Sequence, residues 1–592
     1  MKQFFVTIAG VFVGLFLFFV VAFVVLPVVL IGVLSAAQGN VEPPLREEMV
    51  LELDLRPGML DQPAQNPFAF AQAPALLDVV RALEAAERDE RVKGVFIRAN
   101  ETGIPAAQAE EIRDALLGLR QAGKFVVAHS QGFDSTSVLP YLAISAADEI
   151  WLQQTATFAA AGLSTETTFL GGAIEKYDAQ SQILQIAEYK TAANSYNQSG
   201  YTEEHRESLT SLLSSVYGEA VREIAADRGL TPEEVEALFE TAPYSAEGAA
   251  RAGLIDRVGH LDEAQESALT RAENADFTPL GEYLHAMDQP WDEGPVIALV
   301  QGQGEIVTGE SWGEDSLFSG GDIIGSDTLA RAFNDAAEDD DVRAILFRID
   351  SPGGSVVASE QIWHAAEMAK AAGKPIVVSM GPLAASGGYY VAAPADAIVA
   401  QPGTLTGSIG IYGGKIVLDG TLDLVGLNIE PLSVGGEFSG AYTSQRPFTD
   451  SQLAAMQAQL RDGYDTFTGH VAAGRNLTSA QVEQIARGRV WTGAQAVEIG
   501  LVDELGGFRT ALAAAKREAG IDADENVTLR SYPARPTFFE QVQRLFGNSG
   551  EMAETASVLM QIAAMPEVRA MIAARSASGQ PASARADIPA VR

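Results

Sequence analysis

The sequence contains no cysteine. Disulfides, thiolate zinc sites and a cysteine nucleophile are therefore excluded. Lysine is scarce: nine residues, at positions 2, 93, 124, 176, 190, 370, 374, 415 and 516, against 31 arginines. If a lysine does chemistry here, the field of candidates is short. Histidine is scarcer, with six. No HExxH metal motif and no P-loop occurs, and no cofactor or metal is expected. The formal net charge is −38. A phosphate backbone needs a basic surface, so nucleic acid is excluded as a partner. At 592 residues the chain is too long for one ordinary core, and two or more domains are expected.

Charge is missing altogether from Phe4 to Leu34. A bilayer core takes about 20 apolar residues as helix, whereas a secretory h-region has about 7–15. The run at 4–34 is read as a retained transmembrane anchor in contact with membrane lipid, although "LSAAQ" follows it. Lys2 precedes the span and Glu47, Glu48 and Glu52 follow it. The positive-inside rule then leaves the N-terminus in the cytoplasm and the bulk of the chain outside.

The middle of the chain repeats itself. "VKGVFIRANETG" from Val92 matches "VRAILFRIDSPGG" from Val342, and "AGKFVVAHS" from Ala122 matches "AGKPIVVSM" from Ala372. "AADEIWL" from Ala146 matches "PADAIVA" from Pro394, and "AGLIDRVGHLDEA" from Ala252 matches "IGLVDELGGFRTA" from Ile499. The four blocks keep their order and an offset of 247–250 residues. Two copies of one α/β domain follow, at 49–285 and 295–530. "AMDQPWDEG" from Ala286 reads as the linker. Within the second copy, Ala344–Ile349 and Pro375–Ser379 read as strands around a helix over Ser359–Ala372, which implies parallel pairing. The tail, 531–592, holds an amphipathic stretch at Thr537–Phe546 and a low-complexity end.

The second copy carries two Gly-rich turns, "DSPGGS" (Asp350–Ser355) and "ASGGYY" (Ala385–Tyr390), each after a strand. Parallel strands leave their C-terminal ends side by side, where sites form. The turn at Gly353 and Gly354 can therefore face the one at Gly387. The amides of Gly354 and Gly387 then meet the requirement of an oxyanion hole, and Ser386 is the candidate nucleophile. Taken alone, a glycine-flanked serine is more often a structural turn.

Four motifs in order make the reading specific: "DSPGGSVVASEQI", "GPLAASGGYYVAA", "TLTGSIGIYG" and "GRVWTGAQAVEIGLVDELGG". With them the chain resembles the signal peptide peptidase A (protease IV) family, in its long two-copy form. The resemblance implies two tandem crotonase/ClpP-like ββα superhelix domains, a serine endopeptidase with a Ser–Lys dyad, and apolar peptides such as signal-peptide remnants as substrates. It also implies a homo-oligomer, a tetramer, in the bacterial cytoplasmic membrane with its catalytic part on the periplasmic side. The family's lysine base, in a strand-end "YK" motif, falls on Lys190, in "ILQIAEYK", and its second serine on Ser408, which orients the amine. The equivalent place in the second copy has Phe438-Ser439, and the first copy lacks the "ASGGYY" turn. One copy keeps the lysine and the other keeps the serine, so a single composite site is implied. Whether Lys190 meets Ser386 of its own chain or of a neighbour stays open.

A lysine base must be neutral. Bringing its pKa from about 10.4 down by about three units costs about 4 kcal/mol, which burial supplies by disfavouring the ammonium. Lys415, after "IYGG", is the alternative lysine and is expected to tolerate replacement. A Ser–His–Asp triad finds no histidine between residues 387 and 469; His364 reads as packing or surface. A crotonase-type acyl-CoA enzyme and a non-catalytic membrane scaffold of the same fold are the remaining alternatives.

Overall fold

The computed structural model describes residues 45–63, 75–273, 275–286, 294–311 and 323–534. The expected anchor at 4–34, the linker residues 287–293 and the tail from 535 onward lie outside them. Among the described residues no helix is long and apolar enough to cross a membrane.

The matched blocks fold into matched strands. In the first copy these are Met49–Asp54 (β1), Val92–Arg98 (β2), Phe125–Ser130 (β3) and Glu149–Leu152 (β4). They pair in parallel in the order β4-β3-β2-β1. Every residue of β3 is buried, as a parallel strand covered on both faces requires. Helices Leu76–Arg88 (α1), Ala106–Gln121 (α2) and Leu139–Ser145 (α3) make the crossovers. A further strand, Gln180–Gln185 (β5), leaves this sheet, and the long helix Glu203–Arg228 (α4) follows it.

The second copy repeats the plan with Val296–Gln303 (β6), Val342–Ser351 (β7), Ile376–Ala385 (β8) and Ala397–Ala400 (β9). β6, β7, β8 and β9 pair in parallel in that order. Leu405–Gly407 (β10) also joins the end of β8, and Val490–Thr492 (β12, after Tyr412–Val417, β11) adds to it antiparallel. Helix Val356–Ala371 (α5) links β7 to β8, and the short helix Gly387–Ala392 (α6) leaves β8. β8 runs six residues beyond the Ser379 end expected from the sequence, through "MGPLAA". The register shifts there, so Ile349 faces Met380 and Ser351 faces Ala384. The bulge accommodates Pro382, which has no ladder donor.

The copies are not beads on a linker. Leu77 of α1 packs with Ile297, Leu299, Leu346, Val377 and Phe508 of the second copy. Arg348 on β7 is fully buried and reaches two acids of the first copy. Its Nε lies 2.9 Å from Asp61 Oδ2, and its Nη2 lies 2.9 Å from Glu111 Oε2. Glu110 accepts from the Gly403 amide at 2.8 Å, and Gln401 donates to Asp114 at 3.0 Å. β5 of the first copy pairs antiparallel with β11 of the second, and Ile186 enters the second copy's core. A segment of one repeat is therefore built into the other.

Candidate active site

Ser386 stands where β8 becomes α6. Its backbone has φ 54° and ψ −119°, a region sparsely populated by residues with a side chain. Such a residue costs about 1–3 kcal/mol and persists because its surroundings fix it. Here Ser386 N donates to Gly407 O at 2.8 Å, and Ser386 O accepts from Tyr390 N at 2.9 Å. The sharp strand-to-helix turn leaves the residue half-buried at the end of the sheet. Nucleophiles of α/β hydrolases are presented on turns of this kind.

The two glycine turns meet as the strand ends require. A Cβ at Gly353 would lie 2.5 Å from the Gly387 nitrogen, and one at Gly387 would lie 3.1 Å from the Gly354 nitrogen. Only bare backbone permits this approach, and Gly353 adopts φ +99° to make it. Among the described residues neither the Gly354 nor the Gly387 amide donates to another group. The two serines of "DSPGGS" are structural. Ser351 Oγ donates to Gly304 O at 2.7 Å, and Ser355 Oγ caps α5 by accepting from Ala358 N at 3.3 Å.

Lys190 reaches the serine from the other copy. Its Nζ lies 2.9 Å from Ser386 Oγ, 2.9 Å from Ser408 Oγ and 2.9 Å from Ser408 O. The side chain is buried, and among the described residues it forms no ion pair. Burial alone pushes its pKa down to about 7. The amine is thus neutral in a substantial fraction at physiological pH, as a base requires.

Lys190 is not at a strand end. β5 stops at Gln185, and Lys190 caps the short 3-10 turn Thr191–Ala193. The intervening chain lies in a groove of the second copy: Ile186 N donates to Ile411 O at 2.9 Å and Tyr189 N to Arg487 O at 3.2 Å. A Cβ at Gly488 would lie 2.4 Å from the Lys190 nitrogen, so Gly488 makes room for the lysine backbone.

Sequence reasoning gave no role to the residues around this groove, although the "GRVWTG" stretch holds them. Arg489 stacks over both Tyr189 and Trp491 and pairs with Glu207 of α4 at 2.9 Å. Lys415 is remote from this chemistry. Its Nζ donates to the carbonyls of Ala441, Thr443 and Arg446 and lies over the Phe448 ring. It fastens the chain around Ala441–Arg446 and does not meet Ser386, so the lysine at the serine is Lys190.

The family model for peptidase family S49 matches the chain twice, at residues 119–275 and 368–522. The first match contains Lys190 and the second contains Ser386 and Ser408. The chain belongs to peptidase family S49. As an S49 member it is a serine peptidase with the family domain in tandem. It is 30% identical over 495 residues to "Serine protease SPPA, chloroplastic" of Arabidopsis thaliana, covering 82% of this chain and 71% of that one. It is 31% identical over 486 residues to "Protease 4" of Salmonella typhi, covering 80% of this chain and 76% of that one. Among solved structures, a point mutant of ClpP1 from Listeria monocytogenes aligns at a TM-score of 0.23 and 14% identity, over 36% of this chain and 94% of that one.

Proposed function

We propose that this S49 peptidase works through a Ser386–Lys190 dyad assembled from its two copies. Neutral Lys190 takes the hydroxyl proton as Ser386 Oγ attacks the scissile carbonyl carbon. The amides of Gly354 and Gly387 hold the oxyanion, with the Gly353 turn setting their approach. The lysine ammonium then gives its proton to the leaving amine, and Ser386 remains acylated. Lys190 next draws a proton from water as that water attacks the ester carbonyl, and the lysine ammonium returns the proton to the departing Ser386 Oγ, which frees the enzyme. The neutral amine donates its two N–H groups to Ser408 Oγ and Ser408 O, which leaves the nitrogen lone pair facing the Ser386 hydroxyl.

The substrates are apolar peptides of the signal-peptide type, bound extended beside the "DSPGGS" strand end. The uncharged run at 4–34 anchors the enzyme in the bacterial cytoplasmic membrane, with the site on the periplasmic face, and the chains form a homo-oligomer, a tetramer. The observation that carries the catalytic reading is the 2.9 Å approach of a buried, ion-pair-free lysine amine to a serine on a strained strand-to-helix turn. The experiment is labelling of the full chain with a fluorophosphonate. The adduct is expected on the peptide containing Ser386 and absent from Ser386→Ala; an adduct on another serine overturns the assignment.

A further inference from the structure

The bulge that aims the nucleophile strand is held by a carboxylate. Between Ile349 and Ser351 the partner strand advances from Met380 to Ala384. The extra residues carry ladder groups that need other partners. Thr404 Oγ1 donates to Gly381 O at 2.9 Å, and Leu383 N donates to Asp350 Oδ1 at 3.0 Å. Asp350 opens the "DSPGG" turn, and Leu383 precedes Ser386 on the same strand. One side chain thus ties the strand bearing the nucleophile to the strand bearing the oxyanion turn.

Its surroundings are anionic. A Cβ at Gly381 would lie 3.0 Å from Asp350 Cβ and 3.0 Å from Asp61 Oδ1, so the two acids are neighbours. Asp61 comes from the loop after β1. Arg348, on Asp350's own strand, is committed to Asp61 and to Glu111 of α2. Burial first, and then the Asp61 charge, push the Asp350 carboxyl up to about 7, against the opposing pull of the Arg348 charge and the Leu383 amide. The first copy has Asn100 at the equivalent position, and among the described residues its oxygen accepts from Thr102 N and Gly103 N in its own turn. The acid belongs to the serine-bearing copy alone.

We propose that Asp350 is a positioning residue: as a carboxylate it holds the Leu383 amide and keeps Ser386 set against Lys190, and as a neutral acid it holds that amide more weakly and loosens the bulge. A hydrogen bond to an ionised acceptor is about twice as strong as a neutral one, which gives the charge its leverage. The inference rests on Ser386 as the nucleophile. Activity then requires that both Lys190 and Asp350 lose a proton, and both do so near neutrality.

The test is the pH dependence of kcat/KM for the full chain on a fluorogenic apolar peptide, with Asp350→Asn standing for the permanently neutral acid. In the wild type the logarithmic slope approaches about 2 on the acid side, one unit for each group. In Asp350→Asn the slope falls to about 1, and kcat drops about tenfold at about pH 8.5 with KM within about threefold. The variant's melting temperature holds or rises, because a like charge beside Asp61 is gone. A wild-type slope of about 1, or an Asp350→Asn variant with unchanged kcat and slope, overturns the proposal. So does a kcat loss that comes with a lowered melting temperature, which marks a merely structural residue. Failure of the parent reading looks different: Ser386→Ala then keeps its activity.

Discussion

Lys190 Nζ and Ser386 Oγ lie 2.9 Å apart across 196 positions of one chain, one from each copy of the repeat. The contact forms within a single chain because β5 and the groove at Gly488 graft a piece of the first copy into the second. A mixture of Ser386→Ala and Lys190→Met chains, co-expressed and purified together, is therefore expected to remain inactive. Recovered peptide hydrolysis means that each chain borrows the missing group from a neighbour.

Backbone strain at Ser386 gives a second expectation. Ser386→Ala keeps a side chain at φ 54°, whereas Ser386→Gly relieves the strain. Both variants lose hydrolysis, but the glycine variant is expected to be the more stable by about 1 kcal/mol, part of the gain being offset by glycine's greater freedom when unfolded. Chemical denaturation measures the order, and an alanine variant more stable than the glycine one contradicts a strained turn.

The buried amine at Lys190 makes stability depend on pH. Its folded pKa, about 7, is below the ordinary lysine value of 10.5. Folding therefore disfavours the ammonium: the penalty is fully present below about pH 7 and fades as pH rises toward 10.5. Its ceiling is about 5 kcal/mol, and lost hydrogen bonds at about 1 kcal/mol each reduce what replacement recovers. Lys190→Met is expected to stabilise the chain by a few kcal/mol at about pH 6 and by much less at about pH 10. Urea titrations at the two pH values check it; a pH-independent difference contradicts the neutral, buried amine.

At the junction of the copies, Arg348 faces Asp61 and Glu111 with all three buried. Removing the guanidinium leaves acids without a counter-charge, which costs about 3–5 kcal/mol. Arg348→Met is expected to lose stability on that scale, and adding Asp61→Asn and Glu111→Gln is expected to restore most of it. Equal stability of Arg348→Met and wild type shows that the junction does not depend on the pair.

Some of this was legible in the residue pattern and some was out of its reach. Ser386 was visible as a glycine-flanked serine after a strand, but its role and that of Lys190 came from the resemblance to the signal peptide peptidase A family, and the repeat added only that the two fall in different copies. The ion cluster was invisible. Arg98 and Arg348 occupy equivalent strand positions, yet Arg98 is half-buried and bonds to Gln131, whereas Arg348 is covered by the other copy. Local pattern cannot distinguish these fates, because the covering helices come from far away in the chain. The same holds for the strand extension through Pro382, which is sustained by side chains from Asp350 and Thr404 rather than by local propensity.

In the proposed mechanism Lys190 activates Ser386 as a neutral amine. The most direct measurement is the rate of fluorophosphonate acylation at Ser386, mapped by mass spectrometry, as a function of pH in the wild type and in Lys190→Met. The wild-type rate is expected to rise with pH through about 7, where the lysine loses its proton. In Lys190→Met the rate is expected to be at least about a hundredfold lower across the range. A Lys190→Met chain that labels Ser386 at the wild-type rate, or a wild-type rate flat from about pH 5.5 to about 9, contradicts it.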